Sequence, residues 1–165
     1  MKKIIVSLLL FLPLGLMAQE LKIAIVNTNE ILTTLPDYTD VENEMAKMNQ
    51  QYQQEYKAMD ERFTRMYSDY MSQVDSLAEN IKVMRMQEIQ EFQARMENFV
   101  PIAQEEMQKK ERALMTPIQE KIQKAITSVG EENGYTFIIN QQVLLYKGNN
   151  AIDATNLVKA KLGIK

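Results

Sequence analysis

Two long apolar stripes constrain this chain more than any other feature. Val41, Met45, Met48, Tyr52, Tyr56, Met59, Phe63, Met66, Tyr70 and Val74 follow one another in steps of three and four residues. That spacing places all ten side chains on one face of a helix. A second stripe follows through Ile89, Phe92, Met96, Phe99, Ala103 and Met107, then Leu114, Ile118, Ile122, Ile126 and Val129, with one lapse around Lys110. Two striped helices joined by a short break bury stripe on stripe, so residues from about Pro36 to about Glu131 read as one helical hairpin.

The turn is placed at about Asp75 to Glu79. Ser76-Leu77-Ala78-Glu79 has the capping-box spacing, a hydroxyl at the cap and a carboxylate three residues on. A rival reading carries the first helix through Leu77, Ile81 and Met84 and turns near Arg85. With the earlier turn the second helix is the longer one. Its last turns, from about Leu114, overhang the hairpin and need another surface to pack on. Pro101 and Pro117 lie inside this helix. Each removes a hydrogen bond and crowds the preceding turn, so each is expected to kink or loosen the helix, or to break it.

The remaining segments form an address label and a base. Lys2 and Lys3, the apolar run Ile4 to Leu16 and the small Ala18 before Gln19 read as a secretory signal over residues 1–18. The run is short for a membrane span, although an uncleaved anchor is the alternative. No Cys follows it, which excludes a lipid-anchored form, and export to the periplasm is expected. Residues 19–36 supply a first strand over Leu21 to Val26 and a short helix from Glu30 to Leu35, capped by Asn27-Thr28-Asn29 and ended by Pro36. Residues 37–113 make the hairpin arm. Residues 114–165 return to the base. There, Asn133-Gly134 is a left-handed helix end, Tyr135 to Ile139 and Val143 to Lys147 form a β-hairpin around Asn140-Gln141-Gln142, and a last helix runs from Ala154 to Leu162, capped by Asp153 and stopped by Gly163.

The fold class is therefore α+β and mostly helical, a long antiparallel hairpin on a small β-rich base. Three short strands leave open edges, and assembly is the economical way to close them. Ile23, Ile25, Ile118, Ile122, Ile126, Phe137, Ile139 and Leu145 are the residues expected to pack the base and its oligomer contacts.

Composition narrows the function. The chain has no His, Cys or Trp, so the commonest general base, the thiol nucleophile and the commonest transition-metal ligands are missing. Five Gly, none clustered, make no phosphate loop. Carboxylate pairs such as Glu105 and Glu106 are ordinary on a charged helix. No enzyme activity, cofactor or metal is expected. The formal charge is −3, or −5 once Lys2 and Lys3 are removed, and Asp37 to Glu131 carries 12 basic against 18 acidic residues. An acidic hairpin argues against nucleic acid as a partner.

With these elements in order, the chain resembles the Skp/OmpH family of periplasmic chaperones over essentially its whole exported length. The resemblance rests on Lys22-Ile23-Ala24-Ile25-Val26-Asn27, on Val41-Glu42-Asn43-Glu44-Met45, on Ile118 to Ile126 entering the base, on Asn133-Gly134-Tyr135-Thr136 and on the closing Leu157-Val158-Lys159. It implies a homotrimer whose strands form a central barrel and whose hairpins are tentacles around a cavity. It also implies an ATP-independent holdase for unfolded outer-membrane proteins. All ten Met after the leader fall between Met45 and Met115, and flexible thioethers suit varied partners. Most lie on the stripe and hold the arms together. Tyr67, Met71 and Met86, nearer the edge or tip, are the candidate client contacts. The better-known relatives are basic, whereas this hairpin is acidic, so no lipopolysaccharide or membrane site is carried over. The competing reading is a structural adaptor that docks a fixed envelope partner.

Overall fold

The computed structural model describes residues 21–164; the expected signal segment 1–18 lies outside them. In chain order the elements are β1 (Ile23–Val26), α1 (Thr28–Thr34), α2 (Pro36–Gln73), α3 (Glu79–Asn133), β2 (Phe137–Asn140), a 3-10 turn (Gln141–Val143), β3 (Ile152–Asp153) and α4 (Thr155–Lys161). Helix dominates, and the small sheet is confined to the base. Among the described residues no helix is long and apolar enough to cross a membrane.

α2 has 38 residues and extends about 57 Å at the helical rise. Its stripe faces α3, and every stripe residue except Tyr56 is buried or half-buried. α3 has 55 residues and runs through both prolines without a break. Pro101 and Pro117 are exposed, so the carbonyls they leave unpaired one turn back can be hydrated rather than stranded in a core. The joint occupies residues 74–78. The capping box does not form: Ser76 Oγ donates back to the Gln73 carbonyl at 2.8 Å, and α3 opens at Ala78 without a side-chain cap. The hydroxyl is used to close the end of α2 instead of the start of α3.

The overhang of α3 enters the base. Ile118, Ile122, Ala125 and Val129 share one core with Ala24, Val26, Ile31, Leu35, Val41, Ala154 and Val158. Ile31, Ala154 and Val158 are completely buried, and burying a side chain the size of Ile or Val stabilises by about 1.5–3 kcal/mol. Asn27 caps α1 by accepting from the Glu30 N–H at 3.1 Å. Leu35, nearly fully buried, ends α1 and precedes Pro36, the first residue of α2. Gly134, at φ 63°, lets the chain leave α3 toward β2 in a left-handed turn that costs a residue with a Cβ about 1–2 kcal/mol.

The sheet order is β2-β1-β3, and both neighbours run parallel to β1. The expected β-hairpin over Val143 to Lys147 is therefore corrected. A tight hairpin turn needs positive φ, and among the described residues only Gly134 and Gly163 have it. Asn140 instead accepts from the Gln142 N–H at 3.2 Å and starts the 3-10 turn. The chain then crosses back through Gly148 before Ile152 and Asp153 join β1. α4 starts at Thr155, not Ala154: Asp153 Oδ1 accepts from the Thr155 N–H at 3.0 Å, while Thr155 Oγ1 accepts from the Asn27 N–H at 2.9 Å.

Ile122→Ala is expected to destabilise by about 2–5 kcal/mol. Met59→Ala on the half-buried seam should fall at or below the low end of that range. Urea titration followed by circular dichroism measures both.

Candidate functional site

The surface of the arm carries the candidate client contacts, and its construction begins at the seam. The lapse at Lys110 is filled electrostatically. Lys110 is half-buried between the helices, and its Nζ stands 3.2 Å from Glu44 Oε1. Nearer the base, Lys121 Nζ reaches Asp37 Oδ2 at 2.7 Å. These exposed pairs add little energy, but they oppose a slip of one helix along the other. Toward the tip, buried Phe92 is flanked by the Arg62 and Arg95 guanidinium groups, at 5.0 and 5.2 Å from its ring centre. Tyr52 meets Phe99 edge-on at 5.8 Å.

Tyr67 and Met71 are 47% and 52% exposed, which leaves about half of each large side chain free for contact. Met86 is half-buried across the seam, in a shallow groove with Tyr70, Lys82 and Val83. The sequence reading missed further exposed apolar residues on the arms: Val83, Met84, Val100 and Ile102. Their signal was present, as apolar residues standing off the stripe. Tyr56, assigned to the stripe, is also exposed, although its ring still lies 6.4 Å from that of Phe99. Glu105 and Glu106 stand in solvent on α3.

The residues assigned to the base divide between two surfaces. Ile118 and Ile122 are in the core, and Ile126 packs partly against it. Ile23 pairs with Phe137, and Ile25 with Ile139, so alternation places all four on the sheet face opposite Ala24 and Val26. Ile25 is buried and Ile139 half-buried, whereas Ile23 and Phe137 are exposed, Phe137 by more than half. Leu145 does not pack on the base of its own chain. It is fully exposed, on a loop with Val143 and Tyr146, because the strand expected to hold it does not form.

That loop is held by polar contacts. Lys147 Nζ donates to Asp153 Oδ2 at 3.0 Å. Partial burial pushes the Asp153 carboxyl up. The Thr155 hydroxyl and N–H, with the Lys147 ammonium, outweigh it and hold the group below its ordinary value.

The class defined by this architecture is a two-helix arm carried on a small α+β base, with apolar side chains exposed on both. The profile of the OmpH-like outer membrane protein family matches residues 22–162. The chain belongs to that family. The crystal structure of a Caulobacter crescentus protein described as an OmpH-like outer membrane chaperone superposes with a TM-score of 0.76 at 14% identity, covering 85% of this chain and 82% of that one. A search of curated proteins finds no match.

Replacing Lys110 with Met continues the stripe and is expected to raise stability by about 1 kcal/mol or less, while removing the salt dependence of the Glu44 contact. Thermal melts in low and high salt check this. Because the Asp153 carboxyl is depressed in the fold, its contribution is complete above the ordinary value of 3.8 and is lost as pH falls through the lower folded value. Amide protection in residues 144–153, taken relative to the intrinsic exchange rate at each pH, should fall over that acid range, and Asp153→Asn should remove this acid dependence.

Proposed function

We propose that the protein is an ATP-independent periplasmic holdase, which keeps outer-membrane β-barrel proteins unfolded and soluble in transit. The observation that carries this reading is the arm itself: two helices paired along the roughly 57 Å of α2, projecting from a compact core, with large apolar side chains exposed along them. An unfolded barrel strand offers alternating apolar residues and no fixed shape, so a long surface of adaptable Met and Tyr contacts suits it better than a shaped pocket. Membership in the OmpH-like family supports the same role.

The base supports assembly into a trimer. A parallel three-stranded sheet with an apolar outer face and open edges is poorly protected in a single chain. Ile23, Phe137, Val143, Leu145 and Tyr146 offer the surface that other copies would cover. In the trimer the strands close into a shared barrel and the three arms surround a cavity.

The first test is suppression of aggregation. A urea-unfolded outer-membrane barrel protein is diluted into buffer containing the purified protein and no ATP, and light scattering is followed. Suppression should saturate at about three subunits per barrel. Absence of suppression by folded protein overturns the holdase reading. Ile23→Asp with Phe137→Asp should reduce the mass measured by sedimentation equilibrium to that of a single chain.

A further inference from the structure

The two flanks of the hairpin seam differ in charge. On one flank lie the ion pair of Lys110 with Glu44, the ion pair of Arg85 with Glu88, and Arg62 and Arg95 beside Phe92. At 100° per residue, Lys47 and Arg65 fall on this flank as well. The exposed apolar residues here are Met84 and Ile102, both on α3.

The opposite flank has another composition. Tyr56, Tyr67 and Met71 follow one strip of α2, and Met86 and Val100 follow the facing strip of α3. Four of these five are exposed, and Met86 is half-buried. The same two strips carry Glu42, Asp60, Glu97 and Glu111, all exposed and none in an ion pair. Of the arms' basic residues only Lys57, at the outer edge of the flank, and Lys82 fall here, and Lys82 is paired with Glu79 at 3.8 Å. Amides such as Gln53, Gln93 and Gln104 fill the positions between.

We infer that this cation-poor flank is the face that takes the unfolded chain, and that it selects apolar segments carrying Lys or Arg. The inference rests on the holdase reading above and adds a face and a charge class to it. A Lys or Arg stem covers apolar surface while its head reaches an unpaired carboxylate. Tyr56 and Tyr67 also offer ring faces to a cation. Anionic lipid does not fit, because the flank would repel it. The same flank of a second copy does not fit either, because self-pairing sets acids against acids. An acidic segment meets the same repulsion, which is how the face discriminates.

The test uses two fluorescent, unstructured 20-residue peptides with identical apolar residues, one containing four Lys and the other four Glu. Binding to the purified protein is read by anisotropy at low and high salt. The Lys peptide should bind on the order of tenfold more tightly at low salt, and the preference should shrink as salt screens it. The double variant Tyr67→Gln, Met71→Gln should weaken binding of the Lys peptide, while Met84→Gln, Ile102→Gln on the other flank should not. The pair Asp60→Lys, Glu111→Lys should reverse the preference while helicity by circular dichroism stays unchanged. Equal or tighter binding of the Glu peptide, or sensitivity on the Met84 flank instead, overturns the inference. A change in sedimentation mass with the Tyr67 and Met71 variant also overturns it, since the face would then be covered by another copy. If aggregation suppression persists without any peptide preference, only the face and charge class fail. If suppression is absent as well, the holdase reading fails with them.

Discussion

The structure depends on the overhang of α3. A two-helix hairpin alone is a ribbon with half-buried contacts, and most of the seam of α2 stays half-buried along its length. Beyond Pro36 the second helix has lost its partner, and Ile118, Ile122, Ala125 and Val129 bury instead against β1, α1 and α4. One continuous helix therefore belongs to both the arm and the core. This fixes the root of the arm without a flexible linker, and it concentrates full burial at one end of a long molecule. Toward the tip Ile89, Phe92 and Met96 are buried anchors, while the facing residues of α2 stay half-buried, and that looser side is packing of the adaptable kind that suits variable partners.

Polar groups refine this apolar plan without driving it. Lys110 and Glu44, with Lys121 and Asp37, bridge the two helices in the basal half of the arm. Farther out, arginines cover Phe92 rather than meeting acids across the seam. Consequently most of the arm's cations gather on one flank and few on the other. That division makes the two sides of a simple hairpin chemically different, although the apolar stripes that join the helices are nearly symmetric.

A chain rich in Met and Tyr and lacking His and Cys has few tools for catalysis and many for adaptable contact. The OmpH-like family membership, the arm and the exposed apolar residues point the same way. The acidic balance of the hairpin sets this chain apart from the basic members that the sequence resembles, and it bears on what the arm can hold rather than on how it folds.

The long helices, the joint between them and the left-handed exit at Gly134 were legible in the sequence, because each depends on local rules: a 3.6-residue period repeated over ten turns, a short break in it, and a glycine after it. Exposure on the arm was partly legible, since Val100 and Ile102 stand off the stripe. Ser76 was misread because one hydroxyl can serve either of two helix ends, and only the geometry of the joint selects one. The strands were misread for a stronger reason. Whether Val143 to Lys147 pairs with its neighbour, or Ile152 and Asp153 pair with β1, depends on a partner more than a hundred residues away. Local pattern favours the nearby hairpin, and only the tertiary fold, in which β1 pairs on both edges and Asn140 starts a 3-10 turn instead of a tight one, decides for the parallel sheet.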